Sequence, residues 1–433
     1  MKNQDEGLRR VIGVRSLTVM AVNVTIGAGI FALPAVVAMQ LGASAIWAYL
    51  LCGLLMVPTL LCFVELGTKI TTSGGSYAYV EKAFGPLAGF LTNTLYWLGY
   101  AVMTDAALAN VMVDNLATFF PVLTVPLYRV VFLALFMSGL AVLNVIGVKE
   151  SSRFVVTITL IKIVPLLLLI VVGIFYVDVD NFKSENSFSI TNLGEASLIL
   201  FYAFGGAESV LCATGEIKEP KRTIPRGLLL GVLIIFLIYV LIQIVAQGIL
   251  GDTLASQAAA PLAGVAEKVF GQYGMMLLVA TAAISCFGTI SGDLLVCSRI
   301  PYAAARDGLL PSYLAKLHPR FATPYRSIIM YALVGLLLSV SGGFRQLAIM
   351  SSASLLLVYA GVIAATIRLR GMKSENSFTI PGGLTVPVLA MMGTLWFLSN
   401  LAAREFIATG IFLILFTSVY FIMKKASSSN GQP

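Results

Sequence analysis

The chain has 433 residues, 58% of them hydrophobic and only 11% charged, with a mean hydropathy of +0.94. That composition excludes a soluble globular domain and describes a polytopic helical membrane protein. The net charge of +8 comes with a single histidine, His318, which argues against histidine-based metal or acid–base chemistry. The five cysteines, Cys52, Cys62, Cys212, Cys286 and Cys297, all lie in apolar runs without a C-x-x-C pair. They read as small core residues rather than a disulfide framework or a metal site.

Twelve apolar segments follow one another, at about 14–40, 43–68, 86–113, 124–147, 153–176, 192–215, 227–250, 272–297, 325–341, 347–367, 383–401 and 405–423. Each is read as a membrane span, and an even number puts both termini on one side. The N-terminus lacks a signal-peptide cleavage pattern, so the first span is expected to be retained. With both termini cytoplasmic, the lysines and arginines left outside are Arg129, Lys183, Lys268, Arg345 and Arg404. Nearly all the others face inward, Lys162 lying within a span, which is the bias that orients such chains. The basic character is thereby assigned to the cytoplasm and anionic lipid, not to nucleic acid. The loops are too short for an extra soluble domain.

The first span contains Val24, Thr25, Ile26, Gly27, Ala28, Gly29 and Ile30, with Pro34 beyond. Two mid-span glycines and a proline predict an interrupted helix, which lipid tolerates only where the freed backbone lines a polar cavity. The other reading is a glycine-rich helix packed closely on a neighbour. A second such stretch, Tyr202, Ala203, Phe204, Gly205 and Gly206 followed by Glu208, falls mid-way along the sixth span. Paired breaks in two oppositely oriented five-helix sets point to an inverted-repeat transporter. N–H groups around Gly27, Ala28 and Gly29 are expected to face a carboxylate. Carbonyls of Val24 and Thr25 end one half-helix, and those of Tyr202, Ala203 and Phe204 are expected to take an ammonium. Each such charge-assisted bond is worth about 1.5–3 kcal/mol.

Four stretches resemble the amino acid–polyamine–organocation (APC) superfamily of secondary transporters along most of the chain. They are IGAGIFALP at 26–34, SGGSYAYVEKAFGPLAGF at 73–90, FYAFGGAESVLCATGEIKEPKRTIPRG at 201–227 and SRIPYAAARDGLLP at 298–311. Amino acid antiporters and proton-coupled permeases look most similar. The resemblance implies an all-α fold of 12 transmembrane helices. A 5+5 inverted repeat has broken helices 1 and 6, with two peripheral helices outside it. The chain then divides into a tail 1–13, repeats 14–176 and 192–370, a peripheral pair 383–423 and a tail 424–433. Ala28 departs from the G-S-G common in the family, and Thr71 and Thr72 stand where a proline is usual.

The resemblance makes Tyr202 an aromatic gate, against the plainer reading of an ordinary span aromatic, and makes Tyr96 similar to a pocket tyrosine. Lys162 stands mid-span, where a lysine costs about 2.5–3.5 kcal/mol and faces the bundle interior. The family often has a lysine here, linking helices 1, 5 and 8 where sodium-coupled relatives hold sodium, which implies sodium independence. Lys162 is then a titrating coupling residue or a permanent tether.

Asp293 is expected near Lys162, or else as a solvated acid beside Arg299. Glu208 is a proton sensor or a structural hydrogen-bond partner of the broken helix. Asp105 is a secondary proton candidate. Glu65, Glu81, Glu216, Glu219, Arg299, Arg306 and Asp307 read as gate ion pairs or solvated charges.

These residues lead to a secondary active amino acid transporter in the plasma (inner) membrane. It works as a proton-coupled symporter or an exchanger, as monomer or homodimer, with neutral amino acids favoured and no cofactor. The alternative is a cationic amino acid or polyamine antiporter of the same fold. A channel would need a carbonyl filter or charged rings, and a membrane enzyme a nucleophile–base or metal constellation; neither pattern is present in the sequence.

Overall fold

The computed structural model describes residue 10 and residues 12–27, 29–70, 75–146, 152–183, 189–306, 310–321, 323–372 and 378–429. For residues 152–156, 213, 215, 216, 303, 424 and 426–429 it describes the backbone only. Among these residues the chain is almost entirely helical, because a hydrocarbon environment leaves backbone groups no partner but one another. Eight helical stretches are long and apolar enough to cross a membrane.

The order begins with α1 (Val14–Thr25) and α2 (Gly29–Leu41), the two halves of one interrupted segment. Next come α3 (Ile46–Lys69), α4 (Ser76–Phe84) and α5 (Pro86–Thr94). A π-helical stretch, Leu95–Val102, joins α5 to α6 (Met103–Ala117). Such a stretch re-aims the side chains that follow it, and these insertions concentrate at functional sites. α7 (Pro126–Ile146) and α8 (Ser152–Gly173) complete the first half.

In the second half, α9 (Ile190–Phe204) stops at Gly205 and continues as a 3₁₀ helix, Ala207–Glu216. Then follow α10 (Pro220–Leu250), α11 (Pro261–Cys297), α12 (Arg299–Arg306), α13 (Tyr325–Ser341), α14 (Phe344–Arg368), α15 (Thr385–Ser399) and α16 (Ala403–Ser429). Gly271 breaks helical geometry inside α11 (φ 67°, ψ −163°), so the apolar span begins at its far side.

Several of the expected spans are short or divided helices. α13 and α15 have only 17 and 15 residues, and α1 and α2 have 12 and 13 because one segment is divided between them. The helical stretch 86–117 also falls outside the eight, since it buries Asp105, Asn110 and Asn115 in place of apolar residues.

Burial sorts the helices. In the 190–212 stretch 83% of the apolar window is enclosed, against 11% for Ala403–Met423, so α9 lies at the centre and α16 at the rim. α1 packs on α10, α2 on α9, and α8 on α11, while α6 is held between α11, α13 and α14. The large apolar side chains left outside, such as Leu54, Leu135, Val171 and Ile414, form the surface a bilayer would cover. The chain before α1 is tied to the far end of the second interruption, where Lys218 N donates to Ile12 O at 2.8 Å.

Gly206 turns the chain between α9 and the 3₁₀ helix with φ +110°, a region that penalises any Cβ. An added Cβ there would also lie 3.2 Å from the Tyr100 hydroxyl. Gly206→Ala is therefore expected to destabilise the protein by about 1–2 kcal/mol. Gly13→Ala, whose Cβ meets nothing within 4 Å, should be near neutral. Thermal denaturation of both variants in detergent checks the pair.

Candidate functional site

The two interruptions face each other. α1 ends with Ile26 N donating to Val22 O at 2.9 Å and Gly27 N donating to Thr25 O at 2.8 Å. The Gly27 N–H, expected toward a carboxylate, is thus spent on its own chain in this form. Ala28 lies outside the described residues. Across the gap, Gly205 N closes α9 on Phe201 O at 3.2 Å. Gly29 makes the close approach possible: a Cβ there would stand 3.2 Å from the Tyr202 ring and 3.3 Å from Ala203 Cβ.

Tyr239 Oη on α10 lies 3.1 Å from Thr25 O and 3.0 Å from Ala203 O, so its one proton is shared between the two interruptions. The Ala203 carbonyl, expected to take an ammonium, is within reach of that hydroxyl here. This neighbour was not legible in sequence, because a lone tyrosine in a long apolar helix carries no motif. Lys162 Nζ on α8 donates to Asn23 O (3.1 Å), Ile26 O (3.4 Å) and Thr289 Oγ1 (3.0 Å). Ser285 Oγ adds a weaker bond to Ile26 O at 3.5 Å. A cation on the carbonyl end of α1 has the favourable sign for the helix dipole. Lys162 is 0% exposed, so these contacts replace its entire hydration shell.

A cavity of about 30 Å³ lies between the interruptions. Of the residues singled out in the sequence, Val24, Thr25, Gly27 and Gly29 line it from the first break. Tyr202, Ala203 and Gly205 line it from the second, with Tyr96 and Asp293 on other walls. Ile26, Ile30 and Phe204 do not line it; they are buried in packing, Phe204 edge-on to the Tyr239 ring. The space has room for about two waters and is too small for an amino acid. Tyr202 helps close it: its hydroxyl donates to Thr104 O at 3.1 Å and its ring meets Phe344 edge-on at 5.6 Å. The π-helical stretch puts Tyr100 beside Tyr96 on the wall, their rings 5.4 Å apart.

Glu208 lies off the cavity. Its Oε2 accepts from Gly206 N (3.0 Å) and Tyr359 Oη (2.7 Å), which pins the turn after α9. Asp293 acts electrostatically on Lys162, yet the lysine's hydrogen bonds go to the three oxygens above. Asp105 is within hydrogen-bonding reach of Asp293. Of the gate candidates, Glu65 pairs with Lys69 at 2.8 Å in a buried bridge and Glu219 with Arg222 at 3.5 Å on the surface. Asp307 and the Glu216 side chain lie outside the described residues.

Comparison with known proteins decides the family. A sequence model of the amino acid permease family matches residues 12–431. The chain belongs to the amino acid permease family. It is a membrane transporter, not an enzyme, and its resemblance to the APC superfamily holds over nearly its whole length. It is 28% identical to the serine/threonine exchanger SteT of Bacillus subtilis, over 99% of this chain and 100% of that protein. It is 28% identical to the methylthioribose transporter of the same organism (99% and 96% covered). It is 29% identical to the human cystine/glutamate transporter (95% and 84% covered).

Removing the Lys162 ammonium leaves the Asn23 and Ile26 carbonyls short of a buried donor, at about 1–3 kcal/mol for each group left unsatisfied. Lys162→Ala in this permease is expected to lower thermal stability and abolish transport. Wild-type uptake by a correctly inserted variant would contradict that role. Tyr239→Phe removes one bridging hydroxyl and leaves the ring. It is expected to cost about 1 kcal/mol and to favour opening. The check is faster modification of a cysteine placed at Thr104 in the Tyr239→Phe background than in the wild-type background.

Proposed function

We propose that this permease is a secondary active amino acid transporter working by alternating access, sodium-independent, and driven by a proton or by a counter-moving amino acid. The observation that carries this reading is the small cavity held between two interrupted helices, with the Lys162 ammonium seated on the carbonyl end of one of them. A zwitterion matches such a site. When the cavity opens, a carboxylate takes N–H groups at the start of α2, and an ammonium takes carbonyls at the end of α9 in place of Tyr239.

Neutral amino acids are the favoured substrates, because the described cavity wall carries tyrosines, small residues and one carboxyl group but no cation. The exchanger and transporter names of the relatives are in keeping with exchange. A cationic amino acid or polyamine is the second reading, favoured by the Asp293 carboxyl on that wall. In this proposal Tyr202 is the gate over the substrate, and Glu208 sets the turn through which the inner half of the path moves.

The proposed topology has twelve helices in a five-plus-five inverted repeat, with α15 and α16 peripheral, both termini cytoplasmic, in the plasma (inner) membrane. The mirrored interruptions, the enclosure of α9 and the exposure of α16 support it. So does the inward bias of lysine and arginine.

The test is uptake by purified protein in liposomes. The panel contains neutral, cationic and acidic amino acids and methylthioribose, with and without internal amino acid, at two pH values, in sodium and in choline. The expected result is saturable uptake of a neutral amino acid, unchanged by sodium removal and stimulated by internal substrate or by an acidic exterior. Strict dependence on sodium, or failure to move any amino acid, would contradict the proposal.

A further inference from the structure

Asp105 on α6 and Asp293 on α11 bring two carboxyl groups into hydrogen-bonding reach of each other inside the bundle. Asp105 is 1% exposed, whereas Asp293 is on the cavity wall. Tyr331 on α13 donates to Asp105 Oδ2 at 2.9 Å, but Asp105 Oδ1 is buried with no hydrogen-bond donor among the described residues. Two ionised carboxylates offer each other only acceptors, and like charges at this range do not both ionise. A carboxyl–carboxyl contact becomes a hydrogen bond once one member carries a proton.

We propose that Asp105 and Asp293 together hold one transported proton, which makes this pair the proton-carrying site of the permease. The inference rests on the transport reading above and names the group that carries its proton coupling. The proton comes from water on the outer side, binds a carboxylate oxygen of the pair, and returns to water on the inner side; no other bond is made or broken. Asp293 is the entry point, since it faces the cavity through which water arrives in the open forms. Asp105 keeps the proton out of water when the cavity closes.

The coupling follows from what else faces the pair. These groups are Lys162 on α8, Tyr100 before α6, Tyr202 on α9, Cys297 on α11 and Tyr331 on α13. Lys162 is the cation among them, and it sits on the carbonyl end of α1. With the proton bound, the pair bears one negative charge shared across a hydrogen bond, and α6, α11 and α13 are held together. With the proton gone, the two carboxylates repel and both stay ionised only by moving apart. Asp293 is drawn toward Lys162, pulling α11 against α1 and α8 and away from α6. Proton occupancy thus biases the same helices whose movement opens the cavity.

The test uses full-length protein in liposomes with an entrapped pH dye. Two measurements are made: exchange of labelled for unlabelled substrate at equal pH, and accumulation with lumen acidification under an inward proton gradient. Loss of exchange in the wild type would sink the transport reading itself. Exchange without any substrate-linked acidification in the wild type would overturn the inference alone. For Asp105→Asn, exchange is expected to persist while accumulation and acidification fall to the level of empty liposomes. Wild-type acidification in that variant would overturn the proposal. Selective loss of cationic substrates with acidification intact would also overturn it, making the pair a substrate site.

Infrared spectroscopy keeps the idea testable if the variant does not fold. Wild-type protein should show a buried carboxylic-acid carbonyl band at neutral pH that shifts in Tyr331→Phe. Absence of such a band in the wild type would overturn the proposal.

Discussion

The structure depends on one ammonium group placed where a helix has been cut. Stopping α1 at Thr25 leaves carbonyls at mid-bundle with no following turn to bond them, in a place where water does not reach. Lys162 answers three needs at once. Its charge opposes the negative end of the α1 dipole, its protons satisfy Asn23 O and Ile26 O, and its contact with Thr289 ties α8 to α11. The lysine in turn is tolerated at this depth because these oxygens replace its water. Neither the interruption nor the buried cation is stable without the other, which joins a local sequence feature to the packing of three helices.

Around that centre further hydrogen bonds tie the helices together, while Thr25 Oγ1 and Glu208 Oε1 stay buried without a partner among the described residues. Tyr239 spans the two interruptions, Tyr202 reaches Thr104, Thr104 shares a hydrogen bond with Ser351, and Glu208 holds the turn after α9 through Gly206 and Tyr359. Each bond is modest in net terms, about 1 kcal/mol. Together they hold the helices around a space of about two waters. In the proposed function, a substrate carrying its own donors and acceptors replaces such bonds one for one, so opening and binding draw on the same small set of backbone groups.

Gly27, Gly29, Gly205 and Gly206 mark the interruptions in sequence because they pair up mid-span in two corresponding segments, and both helices stop there. Lys162 was legible because a charge in a span needs a partner. Other features depended on which helix faces meet, information absent from local spacing. The approach of Asp105 to Asp293 joins residues far apart in the chain. Tyr239 looked like one aromatic among many. The π-helical stretch around Tyr96 has no composition signature.

The central claim is that main-chain groups at the two interruptions grip the substrate, and hydrogen–deuterium exchange with mass spectrometry tests it most directly. Adding a transported amino acid to the purified permease should slow exchange in peptides spanning 22–31 and 203–210 and leave a peptide from α16 unchanged. Unaltered exchange in both interruption peptides, at a substrate concentration that saturates transport, would contradict the account.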